Sequence, residues 1–252
     1  MATEIISNAL VLAGGYNLSG VMNAVTLSEG AEHKDATVLE STGRVRKPGL
    51  TSGTARCEGF FDGAANVGLT AGLSLTDVPF SVVHKNTENE IAYLMKALWA
   101  EMVPMGGAVG DMARMSLTAE SSSGAVASPV AGAQKRSVIR GILGTHQTAA
   151  IATGTSTPFQ LGAVAATQYL YAALHVYGAS VGDTLDVTLE SDALATFLSP
   201  TTQLTFAQQT AIGSVWATPV VGAPITDEWW RVKYTIGGTL PSFAFAVTFG
   251  IL

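Results

Sequence analysis

The 252-residue sequence is short of charge: Asp, Glu, Lys and Arg make up 13% of it against 48% hydrophobic residues, whereas a typical soluble domain is roughly 25% charged. It has a single cysteine, Cys57, which excludes an internal disulfide and any thiolate cluster for zinc or iron–sulfur. A basic excess is also missing. The 13 Lys and Arg face 19 Asp and Glu, for a net charge of −6. Gripping nucleic acid takes a basic face that displaces counterions, so the balance argues against that class, though not against nucleic acid passing nearby without adhering. Mean hydropathy is +0.34, yet no long apolar run is present. The nearest candidate, Phe159 to Tyr177, is broken by Gln160, Thr167, Gln168 and His175, short of the ~20 predominantly apolar residues of a spanning helix. No membrane is expected. Met1-Ala2-Thr3-Glu4 shows neither the basic nor the apolar region of a secretory leader. A chain with this little charge is expected to hide much of its surface against copies of itself.

What is present points to β structure. The 27 glycines against 9 prolines, with many Thr, Val and Ala, favour strands joined by frequent turns. Period-two alternation dominates. Phe243, Phe245, Val247 and Phe249 share one face of a strand, as do Trp230, Val232, Tyr234 and Ile236, and Leu185, Val187 and Leu189. The pattern predicts antiparallel β-sandwich or barrel architecture. One segment reads as helix, about 87–103: Thr87-Glu88-Asn89-Glu90 fits a capping box, and Ile91, Leu94, Met95, Leu98 and Met102 follow at helical spacing until Pro104. Ser121 to Gln134 and Gln147 to Pro158 are small-residue connectors. The second coincides with a charge shift, since residues 147–252 carry only 2 basic and 6 acidic groups. The expected division is 1–146, a linker at 147–158, and a C-terminal β-sandwich at 159–252.

Catalytic and metal motifs fail on context. Gly178-Ala179-Ser180-Val181-Gly182 matches the G-x-S-x-G nucleophile elbow, but a strand rather than a helix follows, and His33, His84, His146 and His175 all precede Ser180. The segment reads as a turn. Glu29, Glu32, His33 and Asp35 lack metal-ligand spacing, and Gly106-Gly107-Ala108-Val109-Gly110-Asp111 fits no nucleotide fingerprint. No catalytic residue, cofactor or metal is expected, and the chain is read as a non-enzyme. The one concentrated basic element is Arg44-Val45-Arg46-Lys47-Pro48-Gly49-Leu50, within a polar stretch from His33 to Ser52. Two readings stand side by side. It is a solvated loop, or a docking loop whose cations meet carboxylates on a neighbouring copy.

The order of short motifs resembles a known family. Leu10-Val11-Leu12-Ala13-Gly14-Gly15-Tyr16-Asn17-Leu18-Ser19-Gly20 opens the chain and Ala24–Ser28 follows as a second strand. Then come the loop with Lys47-Pro48-Gly49-Leu50, Cys57-Glu58-Gly59-Phe60-Phe61-Asp62-Gly63, Pro79–His84, Gly110-Asp111 and Val138–Leu143. Over about residues 8–146 this resembles the major tail (tail tube) proteins of long non-contractile, siphophage-type bacteriophage tails. Ile225–Val232 and Pro241–Val247 are similar to the extra β-sandwich at the end of some phage tail proteins. The resemblance implies a structural virion protein, assembled in the host cytoplasm, whose copies form hexameric rings, or pseudo-hexameric trimers, stacked into a hollow tube. It implies a tape-measure protein and later DNA in an acidic lumen without sequence-specific binding, and tail terminator and distal tail proteins at the tube ends. By analogy of position, Arg44, Arg46, Lys47, Pro48, Gly49 and Leu50 would make the contact between rings, and the C-terminal sandwich would lie on the tube exterior. The competing structural reading is a capsid-decorating or tail-adaptor sandwich whose C-terminal domain binds a surface or glycan, with Tyr169, Tyr171, His175 and Tyr177 as a sugar platform.

Overall fold

The computed structural model describes residues 8–38, 42–73, 75, 77–122, 136–217, 220 and 224–252; the connector at 121–134 lies almost wholly outside them. The first part of the chain forms β1 (Leu10–Ala13), β2 (Tyr16–Asn17), β3 (Met22–Asp35), β4 (Arg46–Phe60), α1 (Gly63–Gly72), β5 (Val78–Val83), β6 (Ile91–Gly106), β7 (Arg114–Ser121) and β8 (Ile139–Ala150). The second part forms β9 (Gly154–Thr155), β10 (Phe159–Gln160), β11 (Leu170–Ala179), β12 (Thr184–Asp192), β13 (Thr201–Thr205), β14 (Gly213–Trp216), β15 (Trp229–Gly237) and β16 (Phe243–Ile251). Among the described residues the protein is mainly β with one helix, and its sheets are antiparallel and do not close into a barrel.

The helix is not where periodicity puts it. Residues 91–106 form β6, and the helix is α1, some thirty residues earlier. Ala92 and Leu94 are buried on one face of β6, and Met95, Ala97 and Trp99 on the other. A strand covered on both faces places apolar residues at irregular intervals, and here those intervals mimic a helical stripe. The supposed capping box is the β5–β6 turn, in which Asn89 takes a φ of 71° and the Glu90 N–H donates to the Thr87 carbonyl. The actual helix is weakly amphipathic but well capped: Asp62 Oδ1 accepts from the Ala65 N–H at 2.8 Å. Asp62→Ala is expected to cost about 1 kcal/mol in urea unfolding. Gly72 lets α1 lie against the core, because a Cβ there would overlap the indole of Trp99. Gly72→Ala should therefore cost about 1–3 kcal/mol by the same measurement, the usual range for overpacking.

The larger sheet runs β14-β11-β16-β8-β6-β5-β1-β2, and a wing of β7, β4 and β3 branches from β6. Branching is possible because β6 is long. Its first residues pair with β8 on one side and β5 on the other, and beyond Ala97 it pairs, among the described residues, with β7 alone. The smaller sheet is β10-β15-β12-β13, with β9 also on β15. It packs on β11 and β16 around a core built from alternating residues of both sheets, including Leu185, Val187, Leu189, Trp230, Val232, Tyr234, Phe243, Phe245, Val247 and Phe249. The other face of β11 and β16 is covered too, by β1 and β5. This explains why β1 and β5 are buried at every residue, a continuous apolar run that marks a strand covered on both sides.

A buried polar chain ties these layers together. The His175 Nδ1–H donates to the Gly14 carbonyl at 2.8 Å, so Nε2 is the acceptor for the Ser81 hydroxyl at 2.9 Å. Ser81 Oγ lies 2.9 Å from Thr248 Oγ1 and accepts that hydroxyl's proton. All three side chains are fully buried. Residues 147–158 carry the end of β8 and all of β9, and the β8–β16 ladder links the two parts of the chain.

Candidate functional site

The most distinctive surface is the four-stranded wing β3-β4-β7-β6. Its inner face carries Ala55, Cys57, Leu117, Ala119 and Trp99, all buried against α1 and the β1–β5 layer. Burial also pushes the Cys57 thiol up to about 12, which leaves it unreactive at neutral pH. The outer face shows Arg56, Glu58, Arg114, Glu120 and Glu101 to solvent. Three carboxylates thus stand against two guanidiniums, and Arg56 is paired with Glu58 at 2.9 Å.

Both edges of the wing are open. β3 pairs with β4 and with no other strand among the described residues. On the opposite side, β6 beyond Ala97 has β7 as its partner along one edge only, again among the described residues. Proline at 104 suits such an edge, since it contributes no N–H to a ladder, and its carbonyl accepts from Asn66 of α1 at 2.8 Å. The two open edges are different surfaces of one sheet.

The basic segment is not a loop. β3 and β4 form a long two-stranded arm whose ladder continues out to Lys34↔Lys47 and Asp35↔Arg46. The His33–Ser52 stretch is polar because both faces of this arm meet water, so hydrophobic alternation has no core to report. Arg46, Lys47, Gly49 and Leu50 lie on β4 and Arg44 just precedes it; of Pro48 only the backbone is described. Arg44 faces Asp35 at 3.8 Å with both side chains exposed, a contact of little energetic weight. Among the described residues no ion pair engages Arg46 or Lys47. Leu50 is 79% exposed. A Cβ on Gly49 would sit 3.1 Å from the Glu32 carbonyl, so the strands approach closely there.

The other sequence candidates have structural roles. Ser180 lies in the β11–β12 connection, which crosses from the larger to the smaller sheet. Its hydroxyl donates to Asp183 and accepts from the Ser242 N–H, with Gly182 supplying a φ of 84°. Glu29 is held by Arg136 and by the Ser137 and Val138 N–H groups. Burial opposes its ionisation, but these donors outweigh burial and keep its carboxyl below the usual range. Among the described residues no group of three His, Cys, Asp or Glu could hold a metal, and no helix is long and apolar enough to cross a membrane. The proposed sugar platform is not exposed: Tyr171 and His175 are buried, and Tyr177 donates to the Gln147 carbonyl. Alternation there was ambiguous because β11 is covered on both faces. The sparse cations of the C-terminal part are also committed. Arg231 and Lys233 both bind the buried carboxylate of Glu190.

No protein-family model and no curated protein sequence matches the chain. Several solved structures are similar in part. A chain of the virion of a native gene transfer agent particle is 18% identical, with a TM-score of 0.39 over 48% of this chain and 95% of that one. The SPP1 tail tube is 12% identical, with a TM-score of 0.38 over 46% of this chain and 74% of its own. The Dit protein of SPP1 is 12% identical and aligns over 98% of this chain and all of its own, at a TM-score of 0.35. None of these scores reaches 0.5, too low for the likeness to carry a function across.

Proposed function

We propose that this chain is a structural virion protein, the major tail-tube subunit of a long non-contractile phage tail, and that it polymerises as stacked rings into the conduit for the genome. The supporting observation is the wing with two dissimilar open edges. An unpaired strand edge is a template for another strand. When the two edges differ, copies associate head to tail, and a closing rotation yields a ring. Pairing the β3 edge of one copy with the β6 edge of the next would extend the wings into one continuous wall. Hexamers, or pseudo-hexameric trimers, are the ring sizes the sequence resemblance implies.

The outer face of the wing would line the lumen, where a carboxylate excess keeps DNA from adhering. The C-terminal sandwich lies behind the β1–β5 layer, away from that face, which suits the tube exterior. Accordingly we assign tube formation to residues 1–146 and the exterior sandwich to 159–252, joined at 147–158. The tape-measure protein in the lumen, terminator and distal proteins at the tube ends, and assembly in the host cytoplasm belong to the same reading.

Negative-stain microscopy of the purified protein tests it: rings or tubes are expected, and discrete small particles at every concentration would refute it. Arg44, Arg46 and Lys47 are assigned to the contact between rings. Reversing all three to Glu should leave rings but abolish stacks longer than one or two layers, and tubes of unchanged length would disprove the assignment.

A further inference from the structure

The end of the wing opposite the arm exposes an apolar surface. Phe61 is 43% exposed, Met105 68%, Val109 108% and Met112 66%. They sit together because the Phe61 N–H donates to the Ala113 carbonyl and the β6–β7 turn folds back, with the Asp111 N–H donating to Ala108. Exposed apolar groups gathered in this way mark a surface that becomes covered. The arm tip at the other end of β4 is also partly apolar, with Leu50 79% and Val45 42% exposed, and it carries the cations Arg46 and Lys47. The β6–β7 end offers the exposed carboxylate of Asp111, of opposite sign to those cations.

The two surfaces cannot meet within one molecule. They terminate the same fifteen-residue strand, whose ends are about 45 Å apart at ~3.3 Å per residue. We propose that the β6–β7 turn with Phe61 is the receptor for the β3–β4 arm of a second copy, so that Leu50 seats among Met105, Val109 and Met112 while Arg46 and Lys47 face Asp111. This rests on the tail-tube reading in that copies must stack. It adds the acceptor surface and gives the stack a polarity, since arm and receptor lie at opposite ends of each subunit.

Cross-linking tests it in the full chain, and the buried Cys57 thiol does not compete. Leu50→Cys and Val109→Cys proteins, mixed and oxidised, should give disulfide-linked dimers only when both are present. The double variant should give a ladder of covalent multimers on a non-reducing gel. Leu50→Cys mixed with Val181→Cys, which is fully exposed on the β11–β12 turn, is the negative control. In parallel, Val109→Asp with Met112→Asp should keep the unfolding temperature and the rings while losing tubes. If wild-type tubes form but Leu50 and Val109 do not cross-link, or the aspartate variant makes tubes of full length, the receptor assignment is wrong and the tail-tube reading stands. If the wild type makes neither rings nor tubes, both fall.

Discussion

Replacing Ala24 and Ser28 by lysine is expected to leave a folded 26.0 kDa monomer that forms neither rings nor tubes. Both residues are exposed on β3, with Ala24 opposite Glu58 and Ser28 opposite Thr54. The lysine at 24 gains a carboxylate neighbour within its own chain, and the one at 28 loses only a weak hydroxyl contact to the Thr54 carbonyl at 3.3 Å. Stability should stay within about 0.5 kcal/mol per site, as for most surface changes. The edge itself changes sharply, because lysine is the residue natural sheets use to refuse a further strand. A penalty of roughly 3 kcal/mol at each subunit contact would raise the assembly concentration about a hundredfold. Light scattering after size exclusion reads this directly. Wild-type assembly by the double variant would show that β3 is not the lateral contact.

Acidification from pH 7 to pH 4 is expected to cost the fold about 3 kcal/mol through His175 alone. Burial holds its imidazole down to about 4 from 6.5, against the opposing effect of the Gly14 carbonyl. The sign follows from proton binding. Above pH 6.5 the ring is neutral in both folded and unfolded chains, so nothing is lost. Between 6.5 and 4 the unfolded chain takes up the proton and the folded one does not, so stability falls by about 1.4 kcal/mol per pH unit. His146 is also lowered by burial and adds to the same trend. His175→Gln separates the two. At pH 7 it should be less stable by about 1–3 kcal/mol, because the carboxamide does not reproduce the imidazole's bridge from the Gly14 carbonyl to Ser81. Its further loss on acidification should be smaller than wild type's by about 3 kcal/mol. Urea unfolding followed by tryptophan fluorescence at several pH values measures both. Parallel pH profiles for the two proteins would remove His175 from this role.

Those two regions differed in how legible they were. The C-terminal core could be read from the sequence, since Trp230, Val232, Tyr234, Phe243, Phe245, Val247 and Phe249 alternate in strands that carry an apolar core on one face. The opposite face of β11 and β16 could not, because Ala246, Thr248, Tyr171 and His175 look like a solvent face and are instead covered, Tyr171 by Leu94 and Ile139 and the others by β1, β5 and the turn after β1. β6 hides its strand character for the same reason: burial on both faces erases period two, and Ile91, Leu94, Met95 and Leu98 then imitate a helix. The true helix, rich in Gly and Ala, carries too little apolar contrast to announce itself, and its Asp62 cap emerges only in the structure.

The sequence showed the cations at 44, 46 and 47, which we assign to the contact between rings, and the shortage of charge elsewhere. It could not show that they ride on a hairpin arm, because an arm wet on both faces has no hydrophobic pattern to betray its strands. By itself the sequence determined a β-rich chain with one cysteine and a net negative charge, whose strands alternate wherever one face meets water. Tertiary structure alone decided which edges stay open, where the helix lies, and that the cations and the exposed apolar turn stand at opposite ends of β4. Those properties depend on pairings between residues far apart in the chain, which local periodicity does not encode.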